Sequence, residues 1–401
     1  MERFRYLIVG GGMTADAAVR GIREADPDGS IGIIGSETET PYKRPPLTKG
    51  LWKGDPEETI WYWTERYGAT FHSGRTARML DPEGHRVVDD QGSLFEYEKL
   101  LLATGASPRR LPFGGSRVIY YRTFADYNRL RELAAQGKRI AVIGAGFIGM
   151  ELAAALAMND SEPAIFFPGE YLGNRLFPQA LGHFLNAYYS NKGVELYPLT
   201  AVTGIGEAGS RVVLETRNTK TGLVRNFTFD GVVAGIGVQP NVELGREAGL
   251  MIGNGIRVDE FLRTSHPDIY AAGDVAEFYN PALDRRIRVE HEDNARKMGR
   301  AAGRSMGGSP EPYRHLPAFY SDLFELGFEA VGLVDPTLET VADWQEPNRK
   351  GVVYYLQDRR VRGVLLWNVW KQVDAARRLI SEPGPFDASE IRDRIPEAKA
   401  A

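Results

Sequence analysis

Apolar and polar residues follow one another along this chain in an order that predicts strands leading into helices. Phe4 to Val9 is an apolar stretch that stops at three consecutive glycines, after which an alanine-rich helical pattern begins. The same order returns where Arg139 to Ile143 leads through a second glycine-rich turn into another helical pattern. A further apolar strand follows in each case, Ile31 to Ile34 and Ala164 to Phe167. Two strand–helix–strand units of this kind predict an α/β fold with a parallel, doubly wound sheet in each unit.

Three more apolar strands end at turns that contain glycine: Leu100 to Ala103, Val232 to Gly237 and Asp268 to Ala272. The last part of the chain changes character, because it predicts antiparallel strands joined by a hairpin turn and then a helix. The strands are expected at Ala330 to Val334, Val352 to Leu356 and Val361 to Asn368. The hairpin turn is expected at Gln357 to Arg360, and the helix from about Lys371 to Ile380. The polar tail after Pro383 is expected to fray.

The length and charge of the chain narrow the class of protein. A chain of 401 residues is too long for one typical core, so two or three domains are expected. The net charge is only −4 and no run of Lys and Arg resembles a nucleic-acid footprint, so no nucleic-acid partner is expected. The first residues lack the pattern of a secretion signal and no stretch is long enough to span a membrane, which favours a cytoplasmic location.

The chain contains no cysteine. This excludes disulfides, thiolate-bound iron–sulfur clusters, a redox-active thiol pair and a sulfenate peroxide trap. No metal site is predicted. If the protein carries out redox chemistry, the electrons must therefore pass through a bound cofactor without a thiol relay.

Both glycine-rich turns lie between a strand and a helix, which is the context of a dinucleotide-binding fingerprint, so two Rossmann-like domains are predicted. Small residues recur there in matching roles: Gly10 and Gly144 for the tight turn, Gly12 and Gly146 for close approach of the backbone to a pyrophosphate, and Ala15 and Gly149 for packing of helix on strand. An acidic residue about twenty positions on should bind the adenosine ribose, and Glu37 and Glu170 occupy those places. The alternative is an α/β protein whose glycine turns bind no dinucleotide.

The segment from Pro41 to Trp52 combines three prolines with interleaved cations and aromatic residues. Arg44 lies in this stiff segment close after the first ribose-binding acid, where its guanidinium is placed to clamp a phosphate. A rigid exposed loop explains the same composition equally well. The residues alone leave these two interpretations open.

Motifs throughout the chain point to one superfamily. They are the two glycine turns, Pro41 to Trp52, Ala103 to Arg109, Gly235 to Asn241 and Ala272 to Asp274. Together they resemble the pyridine nucleotide–disulfide reductases, and Arg288 to Ala295 and Tyr313 to Asp335 are most similar to the apoptosis-inducing-factor branch, next to the oxygenase-coupled ferredoxin reductases. The resemblance covers nearly the whole chain. It implies an FAD-binding domain in two parts, 1–118 and 243–312, interrupted by an NAD(P)H-binding domain, 119–242, and followed by a C-terminal α+β interface domain, 313–401.

The resemblance also implies roles for Lys49 and Glu151. Lys49 matches the lysine expected beside flavin N5, and Glu151 matches its ion-pair partner. The pairing is physically reasonable, because a buried lysine must be paired or lose its charge. The alternative is that both are surface residues. Phe147 matches an aromatic ring that shields the flavin until the nicotinamide displaces it, whereas the residue by itself favours a core phenylalanine.

Further cofactor contacts are implied by the same motifs. For FAD and the nicotinamide face they are Ala103, Thr104, Gly105, Arg109, Gly273, Asp274, Glu290, His291 and Tyr320, and for NAD they are Ile148, Gly235 and Gly237. Asp274 is expected to accept a hydrogen bond from the ribityl chain, or to cap a helix. His291 precedes a helix predicted from about Asp293 to Met306, whose positive end would favour the anionic reduced flavin. For His291 itself, contact with the nicotinamide is one interpretation and a structural role is the other.

The chain departs from the family pattern at two positions. Tyr320 stands where tryptophan is usual, which is expected to change the lifetime of a flavin–nicotinamide complex. Gly169 stands where the apoptosis-inducing-factor branch has an acid, and Glu170 follows one residue later. An acid at the ribose favours NADH over NADPH, although Arg175 is near enough in sequence to meet a 2′-phosphate.

The resemblance implies an FAD-dependent NAD(P)H oxidoreductase. Hydride from NADH would pass to flavin N5, and the electrons would leave to a non-thiol acceptor such as a ferredoxin or rubredoxin, a quinone or dioxygen. The alternative is a redox-controlled interaction or signalling flavoprotein similar to apoptosis-inducing factor, whose dimerisation or partner docking responds to NADH. A homodimer is compatible with both.

Overall fold

The computed structural model describes residues 1–134 and 137–395, and the chain divides into two compact units. The first unit comprises Met1–Arg44, Glu57–Ser107 and Gln239–Ala318, and the second comprises Pro45–Pro56, Pro108–Val238 and the chain from Phe319 onward. Each unit is therefore assembled from three separated segments. Two of the boundaries between the units, after Ser107 and after Val238, lie within the short strands Ala106–Pro108 and Val238–Pro240. The finer division into four domain segments stays a prediction.

A seven-stranded sheet forms the centre of the first unit. Its order is Ala69–Ser73, Ile31–Gly35, Glu2–Val9, Leu94–Leu102, Arg86–Asp89 and Ala77–Asp81, with Ile269–Ala271 as a further partner of Leu94–Leu102. The strand Glu2–Val9 pairs in parallel with both neighbours, as predicted. Leu7 and Ile8 on this strand are fully buried, because a parallel sheet is covered on both faces.

Two helices of the first unit, Met13–Ala25 and Glu292–Met306, pack closely against each other. Small residues permit this approach, since a Cβ on Gly303 would lie 2.1 Å from the carbonyl oxygen of Ala18. The other elements of this unit are the helix Glu243–Glu247, the 3-10 turns Glu57–Ile60, Thr64–Tyr67 and Gly273–Val275, and the strands Ile256–Arg257, Ala276–Asn280 and Arg285–Ile287.

The second unit contains the second doubly wound sheet. Its five parallel strands have the order Glu195–Tyr197, Glu162–Phe166, Arg139–Ile143, Gly231–Ala234 and Val118–Tyr120. Its helices and 3-10 turns are Phe124–Leu133, Phe147–Met158 and Gln179–Asn191, and Pro45–Thr48, Gly50–Lys53 and Gly115–Arg117. The prediction of a parallel sheet after each glycine turn is confirmed.

An antiparallel ribbon in the second unit was not predicted. It consists of Thr200–Ala208, Arg211–Asn218 and Val224–Phe229. Its strands interleave glycine, threonine and charged residues with the apolar ones, so the apolar pattern is weak. Such strands are defined by pairing with each other rather than by a continuous buried run.

A five-stranded antiparallel sheet follows in the second unit, with the order Ala318–Leu323, Leu326–Gly332, Arg360–Trp367, Lys350–Gln357 and Glu339–Glu346. The predicted hairpin turn is present, with Asp358 and Arg359 both at positive φ, as two-residue hairpins require. A helix, Val373–Ser381, comes after the sheet. The predicted fold class is confirmed.

The prediction that the tail frays is wrong for the described part. A short helix, Ala388–Ile391, forms there, and the Glu390 carboxylate accepts a hydrogen bond of 2.6 Å from the Asp387 N–H. Ile391 and Ile395 are buried and anchor the segment, an effect that the polar composition concealed. The rest of the tail, residues 396–401, lies outside the described residues.

Candidate functional site

The first glycine turn precedes the helix Met13–Ala25. Gly10 has a φ of +121°, and a Cβ there would lie 2.0 Å from the carbonyl oxygen of Ala103, so only glycine fits. Gly12 occupies the N-cap position of the helix, and Ala15 in its first turn is fully buried. The tight turn at Gly10 and the packing of Ala15 agree with the prediction, and the approach of a pyrophosphate to Gly12 stays a prediction. The turn presents backbone N–H groups at a helix N-terminus, which is a favourable place for phosphate.

Glu37, Tyr42 and Arg44 meet beside this turn. The Glu37 carboxylate accepts hydrogen bonds from the Tyr42 hydroxyl and from the Arg44 guanidinium, which also donates to the Tyr42 oxygen at 3.1 Å. A Cβ on Gly12 would meet only this guanidinium, at 3.9 Å. The structure thus brings the predicted ribose acid and the predicted phosphate cation together at one edge of the sheet. Tyr42 was not predicted, although it lies in the same motif.

Ala103, Thr104 and Gly105 follow a central strand of the first unit. The Thr104 hydroxyl donates to the Asn241 carbonyl at 2.7 Å, and the Asn241 side-chain amide donates to the Thr104 carbonyl at 2.8 Å. The Asn241 N–H donates in addition to the Gly105 carbonyl at 3.0 Å. These reciprocal bonds hold the end of the strand in one conformation. Asn241 lies in a motif that supported the resemblance, but its contribution was not predicted.

Gly273 and Asp274 form a tight turn near the first helix. Gly273 has a φ of +78°, and a Cβ there would lie 2.3 Å from the Thr14 hydroxyl oxygen. Asp274 is buried inside the 3-10 turn. The alternative that Asp274 caps a helix is wrong, because Ala272 occupies the position before this turn.

His291 precedes the helix Glu292–Met306 and lies among carboxylates. Burial lowers the pKa of its imidazole to about 4, although the charges of Asp274 and Asp293 act in the opposite direction. Glu290 is exposed and forms an ion pair with Arg288 at 2.6 Å. The imidazole is therefore neutral at physiological pH, which suits a contact with an uncharged ring better than proton transfer.

Replacing His291 with glutamine is expected to reduce the loss of stability in mild acid. The folded-state pKa lies below the ordinary value of 6.5, so the unfolded chain binds more protons between these two values. The stabilisation is fully present above pH 6.5 and is lost as the pH falls toward about 4. The measurement is the thermal denaturation midpoint near pH 7 and near pH 5 for both proteins. An equal acid-induced decrease in the two would contradict the assignment.

The second glycine turn precedes the helix Phe147–Met158. Gly144 has a φ of +104°, and a Cβ there would lie 2.5 Å from the carbonyl oxygen of Gly235. A Cβ on Gly149 would lie 1.9 Å from the carbonyl oxygen of Gly144, so helix and turn pack without any side chain between them. A Cβ on Gly146 would meet no atom within 4 Å. The space over Gly146 is open, as close approach by a pyrophosphate requires.

Phe147 and Ile148 begin that helix in different surroundings. The Phe147 ring is half-buried, with its centroid 5.1 Å from that of Phe319 and 6.2 Å from that of Phe328. Ile148 is exposed. Phe147 is therefore neither a fully buried core residue nor a solvated one, and it lies on an aromatic cluster of the second unit.

Lys49 and Glu151 form an ion pair in the second unit, with the ammonium nitrogen 2.7 Å from Oε1. The side chains are only 11% and 3% exposed, so the alternative that both are surface residues is wrong. The pair joins a position between two short 3-10 turns to the first part of the helix Phe147–Met158. Lys49 also lies 5.1 Å from the centroid of the Tyr320 ring, which favours a cation.

Two hydroxyl groups complete the environment of Glu151. The Ser321 hydroxyl donates to Oε1 at 2.6 Å, and the Thr48 hydroxyl donates to Oε2 at 2.5 Å. Both carboxylate oxygens are therefore bonded, which is the condition for keeping a charge in a buried place. Thr48 and Ser321 were not predicted from the sequence. Their positions next to Lys49 and Tyr320 in the recognised motifs were the available signal.

Two of the remaining predicted contacts in the second unit, Glu170 and Gly237, follow the strands Glu162–Phe166 and Gly231–Ala234. Glu170 is exposed and forms an ion pair with Lys220 at 2.6 Å. Gly237 has a φ of +95°, and its carbonyl accepts a hydrogen bond from the Arg109 N–H at 2.9 Å. The Arg109 guanidinium donates to the Val238 carbonyl at 3.2 Å. Arg109 was predicted as a flavin contact, and its exposed side chain is bonded here to the backbone of the second unit, so the flavin contact stays a prediction.

Two protein-family models match this chain. A family model for pyridine nucleotide-disulphide oxidoreductases matches residues 4–299, and a model for the C-terminal region of mitochondrion-associated apoptosis-inducing factor matches residues 302–349 and 343–382. The first match alone spans well over half of the 401 residues. This chain belongs to the pyridine nucleotide-disulphide oxidoreductase family. The predicted family is confirmed, as is an FAD-dependent NAD(P)H oxidoreductase as its class of enzyme.

Relatives from both predicted branches are similar in sequence to this chain over most of their own lengths. Apoptosis-inducing factor 1 of Dictyostelium discoideum is 34% identical, over 95% of this chain and 79% of that protein. The ferredoxin–NAD(+) reductase component of the anthranilate 1,2-dioxygenase system of Burkholderia cepacia is 33% identical, over 97% of each chain. Among solved structures, the covalent putidaredoxin reductase–putidaredoxin complex has a TM-score of 0.87 at 27% identity, covering 97% of this chain and 95% of that one.

The residues present fit the two nucleotides that the family implies, FAD and NAD(P)H. Each glycine turn opens a helix, and a Cβ on Gly12 or Gly146 would have little or nothing in contact with it. Glu37 and Glu170 follow the second strand of their respective units.

Among the helices in the described part of the chain, none is long and apolar enough to cross a membrane.

Proposed function

We propose that this protein oxidises NADH by means of bound FAD and passes the electrons to a small iron–sulfur protein. The observation that carries the proposal is the buried Lys49–Glu151 pair, whose two carboxylate oxygens are both hydrogen-bonded, in a chain with two glycine turns at helix N-termini and no cysteine. Two relatives are named as ferredoxin reductases of oxygenase or demethylase systems, and a similar solved structure is a complex with putidaredoxin. These names favour a ferredoxin-type acceptor over a quinone or dioxygen.

Each unit would hold one nucleotide. The turn at Gly10 and Gly12 binds the FAD pyrophosphate at its helix N-terminus, with Glu37 at the adenosine ribose. The turn at Gly144 and Gly146 binds the pyrophosphate of the nicotinamide coenzyme in the same way. When bound, FAD supplies a ring that accepts a hydride from NADH and releases electrons to an acceptor. Glu170 at the second ribose favours NADH over NADPH.

Lys49 supplies a fixed positive charge for the reactive N5 edge of the flavin, and Glu151 positions that charge. Thr48 and Ser321 in turn hold the carboxylate, so the ammonium group is directed by bonds rather than by solvent. Phe147 acts as the ring that an arriving nicotinamide displaces. Electrostatic preorganisation of this kind is effective because water is excluded.

The test of the acceptor is steady-state oxidation of NADH by the FAD-loaded full chain, with a ferredoxin, a rubredoxin, a quinone and dioxygen supplied in turn. We expect the fastest turnover with the ferredoxin or the rubredoxin. Turnover with the quinone or dioxygen alone would contradict the proposed partner. Absence of flavin reduction by both NADH and NADPH would contradict the proposed chemistry as a whole.

A second candidate function is a redox-controlled interaction protein. The similarity to apoptosis-inducing factor, both in the C-terminal family model and in the relative from Dictyostelium discoideum, favours it. Sedimentation velocity with and without NADH distinguishes the two functions. An NADH-dependent change of oligomeric state with slow turnover would support the second, and an unchanged oligomer with fast ferredoxin reduction would exclude it. The homodimer and the cytoplasmic location stay predictions.

A further inference from the structure

The loop that carries Glu170 lies against the second glycine turn. It follows the strand Glu162–Phe166, and the Gly144 N–H donates to the Phe166 carbonyl at 2.9 Å. The Gly173 N–H donates to the Ala145 carbonyl at 3.1 Å, which ties the far side of the loop to the turn. In nucleotide-binding units of this type, the hydroxyls of the adenosine ribose lie at the end of this strand. Glu170 is therefore placed at the group that distinguishes NADH from NADPH.

The preceding position, Gly169, has no side chain to contribute to the site. A Cβ there would lie 2.4 Å from the Asn174 side-chain amide, so a side chain at 169 would require the Asn174 side chain to move. Glu170, one residue later, is 46% exposed. The ribose acid of this chain is consequently a long side chain in solvent, whose orientation depends on its partner.

That partner, Lys220, is held beside Glu170 by the antiparallel ribbon. The Leu199 N–H donates to the Gly169 carbonyl at 2.8 Å, and the Thr219 N–H donates to the Leu199 carbonyl at 2.7 Å. In the following turn, the Asn218 side-chain oxygen accepts the N–H of Lys220 at 3.0 Å. These backbone bonds therefore fix the position of the Lys220 main chain. The Lys220 ammonium nitrogen lies 2.6 Å from Glu170 Oε1.

The pairing of Lys220 with Glu170 changes whether the coenzyme site can accept a 2′-phosphate. The hydrogen bond and charge of Lys220 lower the pKa of Glu170, with a smaller contribution from His183, so the carboxylate stays ionised. An unpaired carboxylate would repel a 2′-phosphate, but a neighbouring ammonium offsets that charge and offers three donors to phosphate. Lys220 is 62% exposed and can exchange Glu170 for a phosphate without leaving a buried charge behind.

We propose that Lys220 determines coenzyme specificity, by offsetting Glu170 and binding the 2′-phosphate of NADPH, so that this protein uses NADPH as well as NADH. The inference rests on the proposed function, because it concerns the coenzyme site of the same reaction. Glu170 serves the ribose hydroxyls of NADH, and Lys220 serves the phosphate of NADPH. The ribbon is then a part of the coenzyme site and not only a connection between strands.

The test is calorimetric binding of adenosine 2′-monophosphate and adenosine 5′-monophosphate to the FAD-loaded full chain. Lys220→Ala is expected to weaken binding of the 2′-phosphate by about tenfold and to leave the 5′-phosphate nearly unchanged, since one charge-assisted contact is lost. Glu170→Gln is expected to strengthen binding of the 2′-phosphate. Lys138→Ala removes another exposed lysine, which lies directly before the central strand Arg139–Ile143, at the amino-terminal end of the parallel strands, and should change neither affinity.

Arg175 is the rival cation, because it is exposed and lies two residues after Gly173. Loss of 2′-phosphate affinity in Arg175→Ala but not in Lys220→Ala would overturn the inference, as would equal affinities in Lys220→Ala and the unchanged protein. Reduction of the flavin by NADH separates these failures from a failure of the proposed function. If NADH reduces the flavin while Lys220→Ala has no effect, the specificity inference alone is overturned. If NADH neither binds nor reduces the flavin, both are overturned.

Discussion

Replacing Lys49 with methionine is expected to slow the reduction of bound FAD by NADH by a factor on the order of 10²–10³. The reason is the fixed position of the ammonium group, which is 11% exposed and 2.7 Å from Glu151. A positive charge held in a place without water stabilises the negative charge that accompanies reduction, and methionine fills a similar volume without that charge. The measurement is the single-turnover rate of loss of oxidised-flavin absorbance under anaerobic conditions.

Lys53→Met is the matched control for this substitution. Lys53 lies on the short turn directly after Lys49 and carries the same charge, but its side chain is 47% exposed and 3.6 Å from Asp322. We expect Lys53→Met to reduce the rate by less than about twofold, because exposed pairs contribute little. Equal rates in the two variants, or an unchanged rate in Lys49→Met, would show that Lys49 does not face the flavin.

Replacing Glu151 with leucine is expected to lower the free energy of unfolding by about 3–5 kcal/mol. The substitution leaves the Lys49 ammonium buried without its counter-charge and leaves the hydroxyls of Thr48 and Ser321 without an acceptor. Removing one member of a buried pair costs more than the pair contributes, because a charge is left uncompensated. The measurement is the denaturation midpoint at a fixed, saturating concentration of FAD, so that cofactor binding is the same in each comparison.

The double variant Lys49→Met/Glu151→Leu distinguishes charge compensation from simple loss of packing. With both charges removed, we expect it to be more stable than Glu151→Leu alone. Glu195→Leu is a control on the surface of the same unit, since Glu195 is 48% exposed and pairs with Arg139 at 3.1 Å. Its expected effect is below about 1 kcal/mol. A double variant as unstable as Glu151→Leu would contradict the buried ion pair.

The two sheets and their glycine turns were predictable because local patterns determine them. A buried strand, a turn that needs positive φ and a helix with a small residue facing the turn must follow in order, and Gly144 and Gly149 show the reason, since neither position has room for a side chain. The ribbon and the anchored tail were not predictable in this way. The ribbon depends on pairing between distant strands, and the tail depends on burial of Ile391 and Ile395.

The ion pair of the candidate site could be predicted from the sequence, but the side chains that surround it could not. Lys49 and Glu151 are about a hundred positions apart, and the resemblance to a family related them where spacing alone could not. Thr48 and Ser321 were missed because each acts through Glu151, and Lys220 was missed because the ribbon that positions it was not predicted. Hydroxyls and surface lysines are common in any sequence, so only the three-dimensional arrangement distinguishes these from the rest.

Anaerobic rapid mixing of the FAD-loaded protein with NADH tests most directly whether two nucleotide-binding turns and a paired lysine carry out hydride transfer. We predict that the absorbance of oxidised flavin disappears within seconds and that the Lys49→Met protein binds FAD but is reduced far more slowly. Retention of FAD with no loss of absorbance on addition of either NADH or NADPH would contradict the account.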